Sequence, residues 1–250
     1  MLKLLALLVV LYLALCAGVF VMQRSLLYFP QPRGSAAGAT TVSLSVDGAE
    51  VVVTARVLRR APAVLYFGGN AEDVAGSLPE LVKAFPDHAL YLMHYRGYGG
   101  STGEPTEVDL ISDAQKLFER VSTEHPSIVV VGRSLGSAVA VRIASKNPIA
   151  RLVLVTPFDS IEELAARLYP FLPVRWMLHD KFESWRHAPA VRAPTLVIAA
   201  ELDEVVPRER TEALLAFFRE DVARLEVIPG AGHNTIQSDP RYCALLGGAE

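Results

Sequence analysis

Only two cysteines occur in 250 residues, and one of them, Cys16, lies inside an apolar run, so no internal disulfide frames this fold. Six histidines and those two cysteines are too dispersed for the paired spacing of a zinc site. Neither a metal nor a cofactor is expected. Charged residues make up only 20% of the chain and the net charge is −3, with lysine and arginine scattered, which leaves no basic stripe for nucleic acid. No internal repeat or low-complexity tract is present.

One hydrophobic run stands out against this background. From Leu4 to Met22 no residue is charged, broken only by the mild Tyr12 and Gly18; at about 1.5 Å per residue a helix of this length spans roughly 28 Å, close to a ~30 Å hydrocarbon core. The reading is a transmembrane anchor over residues 1–24, meeting the bilayer through residues 4–22, and a linker over 25–40 that carries Pro30, Pro32 and Gly34. A cleaved signal peptide is the rival, because Lys3 supplies a basic start and Ala14 and Ala17 are small. Against it, the run continues through Val19-Phe20-Val21-Met22 without a clean Ala-x-Ala site. Lys3 on one side nearly balances Arg24 and Arg33 on the other. A short cationic terminus is easily held in the cytoplasm, which would put the rest outside it, in the periplasm if the source is bacterial.

The remaining residues suffice for one core. Residues 41–46 and 50–58 alternate as an antiparallel pair around Asp47-Gly48. Strands near 63–67, 88–93, 127–131, 151–155, 194–199 and 223–228 are then separated by helical stretches such as Val108 to Thr123 and Glu209 to Phe218. The predicted architecture is α/β: eight strands, mostly parallel, with helices on both faces, in a single domain over 41–250.

The chemistry starts at Val129-Val130-Val131-Gly132-Arg133-Ser134-Leu135-Gly136-Ser137-Ala138. A β-branched run breaks into Gly-x-Ser-x-Gly and becomes a small-residue helix start, the nucleophile elbow of an α/β-hydrolase. Ser134 is the candidate nucleophile, against the blander reading of an exposed serine in a glycine-rich turn. Such a serine needs a base oriented by a carboxylate, in the chain order Ser, acid, His. His233, on the loop Pro229-Gly230-Ala231-Gly232-His233 after the last strand, is the candidate base. His88, His125, His179 and His187 read as ordinary imidazoles, and His94 is set apart because it ends the strand Ala89 to Met93 on the same edge. The acid is open between Glu201, Asp203 and Glu204 on one loop, with Asp159 a further option. Oxyanion donors are expected from the backbone NH groups of Leu135 and Asn70; Asn70 also reads as a helix N-cap after Gly68-Gly69.

Six segments, in order, resemble membrane-anchored α/β-hydrolase-domain proteins of the serine-aminopeptidase-like superfamily, which includes lipid esterases and palmitoyl thioesterases. They are Gln23 to Pro30, Gly69-Asn70-Ala71-Glu72, Tyr95 to Gly103, Gly132 to Ser137, Asp203 to Pro207 and Gly232-His233-Asn234. The resemblance selects Asp203 as the acid and implies a Ser134–His233–Asp203 triad cleaving esters or thioesters of acyl or lipophilic substrates. Two positions depart from the pattern: Gly68 stands where histidine is usual, and His94 where aspartate is usual. The segment from Thr156 to Pro189, a cap at about 156–190 between strands six and seven, holds both tryptophans. It reads either as a lid over Ser134 or as cover for the sheet edge, and both roles are compatible. An amidase or peptidase with the same triad is the alternative activity, and a catalytically silent, membrane-tethered binding protein the alternative class.

Overall fold

The computed structural model describes residues 1–248. It opens with a 26-residue helix, α1 (Leu2–Leu27), after which the chain builds one eight-stranded sheet. In chain order the elements are β1 (Thr40–Val46), β2 (Ala49–Arg56), β3 (Ala63–Phe67), α2 (Leu78–Ala84), β4 (Ala89–Met93), α3 (Glu107–Ser122), β5 (Ile128–Arg133) and α4 (Leu135–Lys146). They continue with β6 (Arg151–Val155), α5 (Ile161–Leu168), α6 (Val174–Met177), β7 (Thr195–Ala200), α7 (Arg208–Leu215), β8 (Ala223–Ile228) and α8 (Arg241–Gly247). The strand order is β1-β2-β4-β3-β5-β6-β7-β8. β2 runs antiparallel to both its neighbours, and every other pairing is parallel.

The central strands are nearly continuous apolar runs because both of their faces are covered. Successive side chains go to opposite sides. Val64, Tyr66, Val129 and Val131 pack with Leu81 of α2 and Leu246 of α8, whereas Leu65, Phe67 and Val130 pack with Leu117 of α3 and Val139 of α4. Helix starts follow local chemistry. Thr106 Oγ1 accepts from the Asp109 NH at 3.1 Å before α3, and Ser160 Oγ accepts from the Glu163 NH at 3.1 Å before α5.

Two boundaries differ from the sequence expectation. β2 stops at Arg56, opposite Leu90, one residue from the start of β4, and the chain then turns through Arg60 at φ 60°. α7 ends at Leu215 and not Phe218, because Phe217 and Phe218 bond only three residues back, to Leu214 and Leu215.

The segment between β6 and β7 divides in two. Phe158, Leu164 and Phe182 are buried in the core, and Trp185 packs on Phe217 with ring centroids 5.6 Å apart; this half covers the sheet edge. Its other half, from Leu168 to Trp176, points outward apart from the buried Val174 and half-buried Leu172, and lies along α1. There the Tyr12 hydroxyl donates to the Phe171 carbonyl at 2.9 Å, Gln23 Nε2 to the Met177 carbonyl at 3.2 Å, and the His179 NH to Gln23 Oε1 at 2.8 Å. Arg24 pairs with Asp180 at 3.2 Å. α1 itself buries no residue, and it is long and apolar enough to cross a membrane.

Candidate active site

Ser134 sits between β5 and α4 with no intervening residue, at φ 49° and ψ −117°. A non-glycine residue in this region is strained, and the glycines on either side make it possible. A Cβ on Gly132 would lie 2.4 Å from the Gly136 carbonyl oxygen, and one on Gly136 would lie 2.0 Å from that of Phe67. The motif therefore exists so that α4 can pack directly on the ends of β3 and β5.

The loops after β7 and β8 bring the other two candidates to this point. His233, 5% exposed, has Nε2 3.0 Å from Ser134 Oγ and Nδ1 3.0 and 2.9 Å from the two carboxylate oxygens of Asp203. Asp203 Oδ1 also accepts from the NH groups of Val205 and Val206 at 2.9 and 2.6 Å, which fixes the carboxylate's direction. The acidic neighbours have other work: Glu204 Oε2 accepts from the His233 NH at 3.1 Å, and Glu201 Oε2 from the Gly230 NH at 2.8 Å. Asp159 faces Arg210 at 3.0 Å and does not meet His233; burial pushes its carboxyl up against the pull of that arginine. In this arrangement the serine hydroxyl can pass a proton to an imidazole whose far side is held by a carboxylate.

On the opposite side of Ser134 lies the loop after β3. Asn70 is not a helix N-cap here. The tight turn that follows begins at Val74 and is capped by Asp73, whose Oδ1 accepts from the Ala75 NH at 3.1 Å. The Asn70 side chain donates from Nδ2 to the Leu27 carbonyl at 2.5 Å, while its Oδ1 accepts from the Tyr98 hydroxyl at 2.7 Å and the Phe29 NH at 3.2 Å. The backbone NH groups of Asn70 and Leu135 have no acceptor among the described residues, which leaves both for a developing oxyanion. At Gly68 a Cβ would come within 2.3 Å of Val74 Cγ1. The usual histidine has no room, and the Gly68 carbonyl is instead held by the Tyr95 hydroxyl at 2.9 Å.

Sequence reasoning gave no role to the Arg133–Glu72 pair, which is buried beneath these loops. Arg133 Nη1 lies 3.1 Å from Glu72 Oε2, and that oxygen also accepts from the Gly69 NH at 2.7 Å. From its other nitrogen, Arg133 donates to the His233 carbonyl at 3.2 Å and to Asn234 Oδ1 at 3.3 Å. One guanidinium thus touches both sides of the serine. Burial works against its charge, but Glu72 together with Tyr66 and Tyr242 more than offsets this and its pKa is raised. Tyr98 and Tyr95 were likewise visible only as motif letters. The single available signal was that all four residues fall inside the matching segments.

His94 lies elsewhere on the same sheet edge. Its Nε2 is 2.9 Å from Thr54 Oγ1, and a Cβ on Gly99 would come within 2.0 Å of its Nδ1. Burial lowers its pKa to about 4, so it is a neutral packing residue under the Gly97–Gly100 turn. No cluster of three or more His, Cys, Asp or Glu suited to a metal occurs among the described residues.

Comparison with known proteins agrees with this fold. The family model described as serine aminopeptidase, S33, matches residues 62–185. An uncharacterized protein of Mycobacterium tuberculosis is 39% identical over 231 residues, covering 85% of this chain and 80% of that one. The chain belongs to the serine aminopeptidase S33 family of α/β-hydrolases. Protein bem46 of Schizosaccharomyces pombe is 31% identical over 191 residues, covering 69% of this chain and 62% of that one. Among solved structures, an esterase of Pyrococcus furiosus superposes with a TM-score of 0.70 at 18% identity, covering 88% of this chain and 97% of that one. Mouse alpha/beta hydrolase domain-containing protein 10 gives 0.65 at 16% identity, covering 84% and 96%. At these identities the superpositions speak to the fold, and the S33 chain is by its family a hydrolase.

Proposed function

We propose that this protein is a membrane-anchored serine hydrolase that cleaves carboxylic ester or thioester bonds of acyl or other lipophilic substrates. The observation that carries this reading is the unbroken hydrogen-bond chain from Ser134 Oγ through the His233 imidazole to Asp203. Ser134 attacks the acyl carbon while His233 Nε2 takes its proton, Asp203 holds the imidazole and stabilises the imidazolium, and the NH groups of Asn70 and Leu135 stabilise the oxyanion. His233 then gives the proton to the leaving alcohol or thiol, and water resolves the acyl-enzyme by the same route reversed. Residues 4–22 hold the chain in the bilayer, residues 25–40 link it to the domain over 41–250, and that domain lies on the side away from the cytoplasm.

The test is covalent labelling of the full chain, in detergent, by a fluorophosphonate probe together with turnover of a short-chain p-nitrophenyl ester. Both are expected for the parent chain, and loss of at least about 10⁴-fold in turnover, with loss of labelling, is expected for Ser134→Ala. A folded parent that does neither would make the chain a silent binding protein. The name of the matching family favours one second reading, an amidase or peptidase built on the same triad. Equal amounts of enzyme on acyl esters, acyl thioesters and aminoacyl amides separate the two.

A further inference from the structure

Tyr12 puts a hydroxyl near the middle of the apolar run Leu4 to Met22. In hydrocarbon such a group costs several kcal/mol if it has no partner, and outside its own helix it finds one in the carbonyl of Phe171, at 2.9 Å. The pairing is reciprocal, since that carbonyl belongs to a non-helical stretch that lipid could not satisfy. Eleven residues further along α1, Gln23 holds the Met177 carbonyl and the His179 NH. At about 1.5 Å per residue, Phe171 therefore lies on the order of 16 Å deeper along the anchor than Met177, roughly half the thickness of a hydrocarbon core. Gln23, Arg24, His179 and Asp180 form a polar collar just where the apolar run ends.

We propose that the segment from Leu168 to Trp176 is a second membrane-embedded element, immersed beside the carboxyl-terminal half of α1 in the same leaflet, with the lipid bilayer as its partner. The proposal rests on the reading of residues 4–22 as an anchor. Its side chains suit lipid: Leu168, Phe171 and Trp176 are 67%, 59% and 92% exposed. The one charge in the segment, Arg175, is paired with Glu163 at 2.7 Å on the domain side. Most of its backbone suits lipid as well. Pro170 and Pro173 have no NH, and the NH groups of Tyr169, Leu172, Val174 and Trp176 bond to Ala165, Tyr169, Leu172 and Pro173, which leaves those of Phe171 and Arg175 without an acceptor among the described residues. Trp176, next to Met177 at the collar, is at the depth where interfacial tryptophans gather. Because the Leu27 carbonyl accepts from Asn70, the membrane surface and the loop beside Ser134 are adjacent.

The test uses the full chain in phosphatidylcholine vesicles whose acyl chains carry bromine at shallow or deep positions. The sequence has two tryptophans, so Trp185→Phe leaves Trp176 as the only reporter, and adding Trp176→Phe with Phe171→Trp moves the reporter to the tip. Both reporters are expected to be quenched, the first about two-fold more by shallow bromines and the second about two-fold more by deep ones. Trp176→Phe alone leaves Trp185 against Phe217 and is expected to be unquenched. If both reporters ignore brominated lipid and are quenched by aqueous acrylamide while the chain resists carbonate extraction, the proposal is overturned and the anchor stands. Extraction of the chain by carbonate overturns the anchor itself, and the immersed cap with it.

Discussion

The two loops that meet at Ser134 are held by different means. On the histidine side, Arg133 apart, the contacts come from the β7 and β8 ends: Asp203 grips the imidazole, Glu204 the His233 NH, and Glu201 the Gly230 NH. The oxyanion side depends on distant chain, because Asn70 is tied to Leu27, Phe29 and Tyr98. The loop carrying His233 is therefore held mainly by its neighbours at the strand ends, whereas the loop carrying Asn70 is set by the segment that follows α1. Arg133 touches both, through Glu72 on one side and the His233 carbonyl on the other.

The relay half is broken most severely by Asp203→Asn. The amide leaves the Ser134–His233 distance intact but favours the wrong imidazole tautomer, and a fall of about 10⁴-fold in kcat is expected in steady-state ester hydrolysis, with little change in melting temperature. Joining the halves is the task of Arg133. Arg133→Met leaves Glu72 buried without its cation, and denaturant unfolding is expected to show a loss of about 3 kcal/mol; an unchanged midpoint would mean the two loops are independent.

Acid should loosen the Gly97–Gly100 turn that packs on His94. The unfolded chain protonates His94 below about pH 6.5, the folded chain only near 4, so the stability contributed by its neutral form is present above 6.5 and is lost as pH falls through that window. The full effect is on the order of 3 kcal/mol, and His94→Gln is expected to flatten the pH dependence of the unfolding midpoint between those values. The smallest change is Tyr98→Phe. It deletes the hydrogen bonds to Asn70 Oδ1 and from the Phe29 NH, each worth about 1 kcal/mol, and is expected to lower kcat several-fold with KM unchanged.

These contrasts also explain what could be read without coordinates. Ser134, His233 and the parallel strands were legible because a tight turn after an apolar run, and a glycine-flanked histidine after the last strand, are local patterns. Asp203 needed the family resemblance, since Glu201 and Glu204 share its loop and only the hydrogen bonds to Gly230 and His233 assign them elsewhere. Nothing local distinguishes Arg133 and Glu72, which are 61 residues apart, or Tyr12 and Phe171, which are 159 apart. Asn70 looked like a helix cap because glycine precedes it and the next turn begins only four residues later, under Asp73. The cap showed its aromatic content but not its division, because Phe158 and Phe171 are the same letter in opposite surroundings.

Gly136 is in contact range of the Phe67 carbonyl at a spacing no side chain could enter. Strand, serine and helix are thereby fused into one stiff wedge that has no freedom to slide or tilt toward a substrate. Any fit to molecules of different shape then falls to the loops and the cap around the wedge, while Ser134 keeps its pose.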